Sequence, residues 1–521
     1  MFLVLAASAA LSFLAPAGYE AAATAASTTY TGIGFDYFTP TTQPLTQHST
    51  AEGPVTVTNG FTQVVAFGVG KYTGDAVNAI GVSTSYFGGH FTQNLLPGIT
   101  KATNPANPYD RVAYETIAYN QRFHEFIIAS LPISNVADAE GDGDTTLPPI
   151  VSRSLDGLNW SNPTPVSGAA GLRPEKEWIS CDNSILSPYF GRCYIVWDDN
   201  DNNDSFHAAY SNDGGNTWTA GQTAGQSEFG AIPLVQPNGS VVAVSEDSSG
   251  YDGTERNIIS TVSTNGGANW STALEVSPIT THTVAGNIRT QSLPTAAVDG
   301  SGNIDAIWQD CRFERACVSN DLVLSTSRDG SHWSSPTRLP LEGVGSNMDL
   351  FTPSLAVRSS VFGTTLGLEF YVAFPLGCAP TTCSVVPVFT NSGNGGQSFS
   401  SPELLTQPML PAWLASTGSG YMLGDYLQAV YPNAFLGAVT LGFNPAAAPS
   451  GDPLIEGIVI PYVTGKGGLA RRAGVKTAFV RGGGLGEADS AALHLGARVP
   501  SYQAKRLAPK VKFLRHVTHP I

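Results

Sequence analysis

The sequence predicts an all-β fold made of four-stranded antiparallel units that follow one another along the chain and close into a single architecture. Three observations carry this expectation. A turn motif recurs six times, with starts at residues 83, 154, 211, 263, 327 and 390, so successive copies lie 52 to 71 residues apart. That period suits four strands and their turns. The 521 residues include 56 Gly and 35 Pro, too much punctuation for long helices, and 42% are hydrophobic, enough for a core.

Taken in order, the chain opens on an uncharged apolar stretch, residues 2–17, running into Ala-x-Ala sequences at Ala15–Ala17 and Ala21–Ala23. This predicts a secretory signal over 1–27, with a membrane anchor as the alternative. Six cysteines fit export and fall as three close pairs, Cys181 with Cys193, Cys311 with Cys317 and Cys378 with Cys383. Of the 15 pairings that six cysteines allow, the local one needs no assumption about distant packing, and it would staple three hairpins; free thiols are the alternative.

The four strong copies of the motif read Ser154-Leu-Asp156-Gly157-Leu-Asn-Trp160, Ser211-Asn-Asp213-Gly214-Gly215-Asn-Thr-Trp218, Ser263-Thr-Asn265-Gly266-Gly267-Ala-Asn-Trp270 and Ser327-Arg-Asp329-Gly330-Ser-His-Trp333. Asp or Asn accepts hydrogen bonds from the amides of its own turn, and Gly takes the left-handed backbone that other residues resist. Asp156, Asp213 and Asp329 are therefore read as structural. Weaker copies span 83–91 and 390–399, with Ser85 and Ser392 near the place of the Asp.

This motif resembles the Asp-box, or bacterial neuraminidase repeat, Ser/Thr-x-Asp-x-Gly-x-x-Trp/Phe, over roughly residues 50–463. The resemblance implies a sialidase-like β-propeller over 28–463, with each box joining the third and fourth strands of a blade. Seven blades are favoured and six are the alternative. The strands of the third would be 178–182, 193–198, 205–211 and 217–220, and those of the fifth would include 293–298, 304–308 and 321–327. Three later apolar runs, 426–431, 434–441 and 455–462, supply a seventh blade without a box, whose outer strand comes from 31–39 and leaves no sheet edge open. Residues 464–521 break the pattern and hold eleven Lys/Arg against two Asp/Glu, so they read as a basic, flexible tail.

Without that tail the body carries a net charge of −24. An acidic surface disfavours nucleic acid and anionic membranes. No phosphate-cradling Gly loop, His-Glu-x-x-His or Gly-x-Ser-x-Gly is present, which removes support for nucleotide, zinc-protease and serine-hydrolase chemistry. The expected partner is a glycan or glycoconjugate bound by a monomer.

Strand alternation puts the box turns on one face and the starts of innermost strands, with the ends of second strands, on the other. Charge collects there: Glu52, Asp110-Arg111, Glu175-Lys176-Glu177, Glu228, Arg289, Asp349 and Asp425 open inner strands, while Asp198-Asp199, Glu246-Asp247 and Asp310 end second strands, the last followed by Arg312. The resemblance implies an exo-sialidase, in which three arginines grip a substrate carboxylate and a glutamate activates a tyrosine nucleophile. Carried onto this chain it nominates Arg111, Arg289 and Arg312 for the anion, Tyr426 as nucleophile, Glu228 as its base and Asp110 as acid. Asp425, Lys176, Asp199 and Glu246 are further substrate-binding candidates. The family's Arg-Ile-Pro signature is absent, Arg111 standing instead in Asp110-Arg-Val-Ala-Tyr114. Two other readings stay open: a carboxylate pair such as Asp198 or Asp199 with Glu246, and a propeller that binds glycan, cell-wall polymer or protein without turnover. No cofactor is called for. A structural calcium ion could use the acidic loop at 138–144 or Asp199, Asp201 and Asp204. Tyr426, Trp178, Trp197 and Trp308 are equally readable as packing residues.

Overall fold

The computed structural model describes residues 32–34 and 47–463, apart from 75, 87–90, 135–144, 169–171, 248–255, 361–362, 406–407, 432–437 and 444–456. The signal at 1–27, the tail at 464–521 and the acidic loop at 138–144 lie outside the described residues.

Six antiparallel four-stranded units follow one another. The third is Pro174–Cys181, Cys193–Asp199, Ser205–Ser211 and Thr219–Ala220. The fourth is Phe229–Val235, Val241–Glu246, Arg256–Ser263 and Leu274–Ile279. The fifth is Thr295–Val298, Ile304–Asp310, Asp321–Ser327 and Thr337–Arg338, and the sixth Asp349–Ser360, Gly363–Phe374, Ser384–Ser392 and Glu403–Leu404. The first (inner strands Gln47–Thr58 and Thr62–Lys71, then Val77–Tyr86 and Phe91–Leu95) and the second (Arg111–Asn120, Glu125–Ser134, Ile150–Ser154 and Thr164–Pro165) are joined by one pairing, Val77 with Val112. Strand boundaries expected for the third and fifth units fall within two residues of these at most ends; the third unit's inner strand starts four residues earlier, at Pro174.

Apolar side chains alternate onto both faces of the middle strands, so the units pack face to face and every residue of Thr62–Lys71 and Cys193–Asp199 is buried. Trp178, Trp197 and Trp308 belong to this packing. A cavity of about 240 Å3 is lined by residues from the innermost strand of all six units, among them Val57, Ile117, Ile179, Ile232, Ala296 and Leu355, and by 427–429. The inner strands of the six units thus line one common cavity.

The expected strand at 426–431 is a correction: it is extended and buried but forms no ladder strand. Its bonds go sideways, Gln428 Oε1 accepting from Thr56 N (3.1 Å) and Ala429 N donating to Ser354 Oγ (2.8 Å), which ties it to the inner strands of the first and sixth units. Beyond it, Ala438–Phe443 pairs with Gly457–Val463, and Gly457–Val463 pairs with Gly32–Gly34, the outer position expected for the 31–39 segment.

The box turns close as their chemistry requires. In the second unit Ser154 Oγ accepts from Gly157 N (2.8 Å), Asp156 Oδ1 accepts from Leu158 N and Asn159 N (2.8 Å each), and Trp160 Nε1 donates to Gly157 O (2.9 Å). The same pattern recurs at Ser211, Ser263 and Ser327. In the sixth unit Ser392 is the opening hydroxyl, not the stand-in for Asp, and Asn394 takes the acceptor role toward Ser398 N (3.0 Å). Within each sheet the box serine pairs with the start of the second strand, as Ser211 does with Cys193, while Asp198 pairs with Glu175 at the far end. Box turns and ionic residues therefore occupy opposite ends of the units.

All three cysteine pairs are disulfides, Cys181–Cys193, Cys311–Cys317 and Cys378–Cys383, which fits folding in an oxidising compartment. Among the described residues no helix is long and apolar enough to cross a membrane.

Candidate active site at the axial mouth

Five inner strands break register close to the ionic end, and each of these breaks inserts one extra residue; Gln47–Thr58 has a second break, between Gln47 and Ala51. The breaks lie between Glu52 and Val55, Ala113 and Thr116, Glu175 and Trp178, Phe229 and Ile232, and Phe351 and Ser354. In every case the residue at the break has a left-handed backbone: Gly53 (φ 59°), Tyr114 (52°), Lys176 (51°), Gly230 (64°) and Thr352 (45°). A bulge of this type twists the strand and re-aims the side chains beside it. Glycine holds that conformation without penalty, whereas a side-chain-bearing residue costs roughly 1–2 kcal/mol. Tyr114 and Lys176 accept that cost next to Glu115 and Glu177, which the bulges hold at equivalent positions of adjacent units.

The result is a buried ionic cluster. Lys176 Nζ, fully buried, is bound by Asp425 Oδ2, and the same oxygen accepts from Arg289 Nη2 at 2.9 Å. Lys71 pairs with Glu52 at 3.1 Å. The Lys176 ammonium also lies 4.2 Å from the centre of the Tyr114 ring and 5.8 Å from that of Tyr426. Tyr114 donates to Glu175 Oε1 at 3.0 Å. Tyr426 stands edge-on to Trp178, with ring centres 4.9 Å apart, and its buried hydroxyl has no hydrogen-bond partner among the described residues.

Carboxylates outnumber cations here, and burial sets their protonation. Burial pushes Glu115 up to about 8, reinforced by the Glu52 charge, and it pushes Glu177 and Asp198 well above the usual carboxylate range. At Asp198 the Glu175 and Asp204 charges reinforce the rise, while Lys176 and the Gly230 backbone oppose it. Burial likewise raises the Tyr426 phenol, and the neighbouring charges that add to it are those of Glu177, Asp425, Asp198 and Glu175. A cavity of about 30 Å3 separates Glu52, Tyr114, Glu115, Asp425 and Tyr426.

The nominated residues divide. Tyr426, Asp425, Lys176 and Arg289 come together. Glu228 is not among the carboxylates that weigh most on Tyr426; Thr261, Ser245 (2.9 Å) and Gln226 (2.7 Å) donate to it, and burial raises it to about 7. Asp110 pairs with Lys101 at 2.5 Å and is partly exposed. Arg111 is buried with its guanidinium 3.7 Å over the Tyr72 ring. Arg312 is held at Asp310 (2.6 Å) and by Pro278 O. Glu246 pairs with Arg256 at 3.0 Å. Asp199 accepts from Arg173 N (2.9 Å), and Asp201 meets the Arg173 guanidinium at 3.3 Å. Among the described residues no three His, Cys, Asp or Glu side chains, Asp199, Asp201 and Asp204 included, are grouped so as to hold a metal ion. Glu115, Glu177, Lys71 and Tyr114 were not nominated. The signal of Tyr114, Glu115 and Glu177 is the repeated aromatic-or-basic residue followed by Glu, Tyr114-Glu115 and Lys176-Glu177, in the first half of an inner strand; Lys71 has no such pattern around it.

No family model matches the chain, and no curated protein matches it. Similar solved structures include a protein of unknown function from Dyadobacter fermentans, 14% identical, covering 83% of this chain and 97% of that one with a TM-score of 0.42. The intramolecular trans-sialidase from Ruminococcus gnavus is 14% identical over 62% of this chain and 90% of its own, with a TM-score of 0.42. An alpha-L-arabinofuranosidase from Fusarium graminearum is 12% identical over 52% and 89%, with a TM-score of 0.34.

Proposed function

We propose that the protein is a secreted glycoside hydrolase with a closed, seven-bladed sialidase-like propeller, and that it cleaves a terminal sugar at the axial mouth. The observation that carries this reading is the buried, unpartnered Tyr426 hydroxyl beside Glu177 and Asp198. A phenol held above its usual range cannot attack unaided, so it needs a base, and Glu177, which burial makes a stronger base and which must be ionised for this step, takes that role in place of Glu228. Asp198, whose carboxyl burial pushes well above the usual range, replaces Asp110 as the acid that protonates the leaving oxygen. Asp425, fixed between Lys176 and Arg289, stabilises the positive charge that develops on the sugar ring.

The exo-sialidase form of this reading requires a guanidinium free to fork onto a substrate carboxylate. Arg289 and Lys176 are both engaged by Asp425, Lys71 by Glu52 and Arg312 by Asp310, and Arg111 is buried with its guanidinium against the Tyr72 ring. A neutral sugar therefore suits this mouth better than an acidic one. The test is release of fluorophore from a panel of neutral aryl glycosides and a sialoside. Turnover of a neutral glycoside that Tyr426→Phe abolishes, with an unchanged melting temperature, supports the proposal; sialoside turnover lost in Arg289→Ala restores the acidic substrate. The small volume of the mouth cavity favours a second reading, a propeller that binds glycan without turnover. Glycan-array binding with no hydrolysis would select it.

A further inference from the structure

The inner strands are tied to one another sideways by a hydrogen bond that recurs in one register. Ile179 N, in the third unit, donates to Thr116 Oγ1 of the second at 3.2 Å, and Leu355 N, in the sixth, donates to Thr295 Oγ1 of the fifth at 3.2 Å. Along each strand the acceptor place and the donor place are consecutive residues. In the five strands with a register break near the ionic end, the acceptor place is the first residue to pair after it: Val55, Thr116, Trp178, Ile232 and Ser354. Val55 and Ile232 have no polar side-chain atom, the Trp178 indole can only donate, and Pro233 has no N–H to give. The bond therefore cannot form from the first unit to the second, from the third to the fourth or from the fourth to the fifth.

Residues 428–429 take the next place in this series. Ala429 N donates to Ser354 Oγ of the sixth unit at 2.8 Å, as an inner strand's amide does to the unit before it. Gln428 Oε1 accepts from Thr56 N of the first unit at 3.1 Å, as an inner strand's side chain does for the unit after it. The series so returns to its start. This run differs from the six inner strands in having no ladder to hold it. Its joint to the first unit also uses a different side chain: the other three acceptors are Ser and Thr hydroxyls, one bond from Cβ, whereas the Gln428 amide oxygen stands two carbons further out and can bridge a wider gap.

Tyr426 lies between that joint and a second fastening. A side-chain carbon at Gly424 would lie 2.6 Å from Gly53 Cα and 2.7 Å from Gly53 N, so the two backbones touch there. Gly424 and Gln428 are thus both fastened to Gln47–Thr58, at residues 53 and 56, and the mouth cavity lined by Glu52, Gly53, Gly424 and Tyr426 lies beside this span.

We propose that Gln428 is a positioning residue for the reaction at the mouth: its bond to Thr56 N sets where the Tyr426 ring stands against Trp178 and the mouth cavity. The proposal rests on the reading of Tyr426 as nucleophile. A reacting atom misplaced by about 1 Å costs on the order of 100-fold in rate, so loss of this bond is felt in turnover more than in binding. The experiment measures kcat and KM of the whole secreted chain on the glycoside that it hydrolyses best. Gln428→Leu, which has no acceptor, lowers kcat at least about tenfold with KM within about twofold of wild type. Gln428→Glu keeps an acceptor oxygen and restores most of the rate. Thr295→Val, which removes the equivalent bond between the fifth and sixth units, leaves kcat within about twofold of wild type. An unchanged kcat in Gln428→Leu overturns the proposal, and so does an equal loss in Thr295→Val, because these bonds would then serve only the cohesion of the inner strands. Where Gln428→Leu does not fold, Gln428→Asn, whose amide is one methylene too short, takes its place with the same expected loss. If no glycoside is turned over, the hydrolase reading fails by itself and crystal structures of the variants decide. A Tyr426 ring that leaves Trp178 in Gln428→Leu but not in Thr295→Val supports the positioning role; a ring that stays in the first, or moves as far in the second, overturns it.

Discussion

Tyr114, Lys176 and Thr352 hold a left-handed backbone that Gly53 and Gly230 hold in neighbouring units. At Tyr114 and Lys176 the side chains are part of the ionic cluster, so the conformation is tied to the chemistry. Thr352 has no such part, and its β-branched side chain is poorly suited to the position. Thr352→Gly removes a penalty of roughly 1–2 kcal/mol and adds back roughly 0.5–1 kcal/mol of unfolded-state entropy. Urea denaturation should find the variant more stable by up to about 1 kcal/mol, and a destabilised variant would show that the threonine side chain contributes more than its backbone costs. Of the site residues themselves, Asp425, Lys176 and Arg289 were legible because charges recur at strand starts, and Tyr426 only through the resemblance that the turn motif carries. The carboxylate whose charge weighs most on Tyr426 was not legible. Glu177 and Glu228 both open inner strands, and only the bulge at Lys176 decides which of them acts on the phenol; with both faces of these strands buried, no alternation of apolar and polar residues marks that bulge.

The box turn was the most legible element, because its function is local and its chemistry is written in adjacent residues. Even Asn394 follows the rule once the register of the sixth unit is known. The hydrogen bonds of the turn hold Asp156 down to about 2, with burial opposing them. Its ordinary value in an unfolded chain is about 3.9. A depressed carboxylate stabilises the fold fully above the unfolded value and loses that contribution as pH falls toward the folded one. The stability difference between wild type and Asp156→Asn should therefore shrink as pH is lowered from 5 to 2, measured by urea titration at each pH. A difference constant across that range would mean that the asparagine serves the turn as well as the aspartate. The element that sequence misplaced, 426–431, failed for the converse reason. Its apolar run looks like a strand, but its polar groups are satisfied by Thr56 and Ser354 of the flanking units, which no local pattern reveals.

For the whole molecule, the two-ended arrangement was legible from antiparallel alternation alone, since charges at second-strand ends must lie opposite turns at third-strand ends. The burial of those charges was not. Glu115 and Glu342 are pushed up to about 8, and Glu228 and Glu246 to about 7, chiefly by desolvation. The folded chain keeps protons that the unfolded chain releases above about 4.5, so stability falls as pH rises through the window from about 4.5 to 8. The melting temperature should be higher at pH 5 than at pH 8, and Glu115→Gln should flatten that slope. A melting temperature rising across the same interval would mean that these carboxylates are ionised in the folded state and answered by cations.

Two of the three disulfides, Cys311–Cys317 and Cys378–Cys383, span only six and five residues and sit in loops that follow second strands, at the end where Asp310 and Asp349 lie. Such short covalent loops contribute less to global cohesion than long ones and act mainly on local shape. Mild thiol treatment should thus blur the rim around the entrance while the stacked sheets, fastened at their other end by tryptophan-bearing turns, keep their circular-dichroism signature.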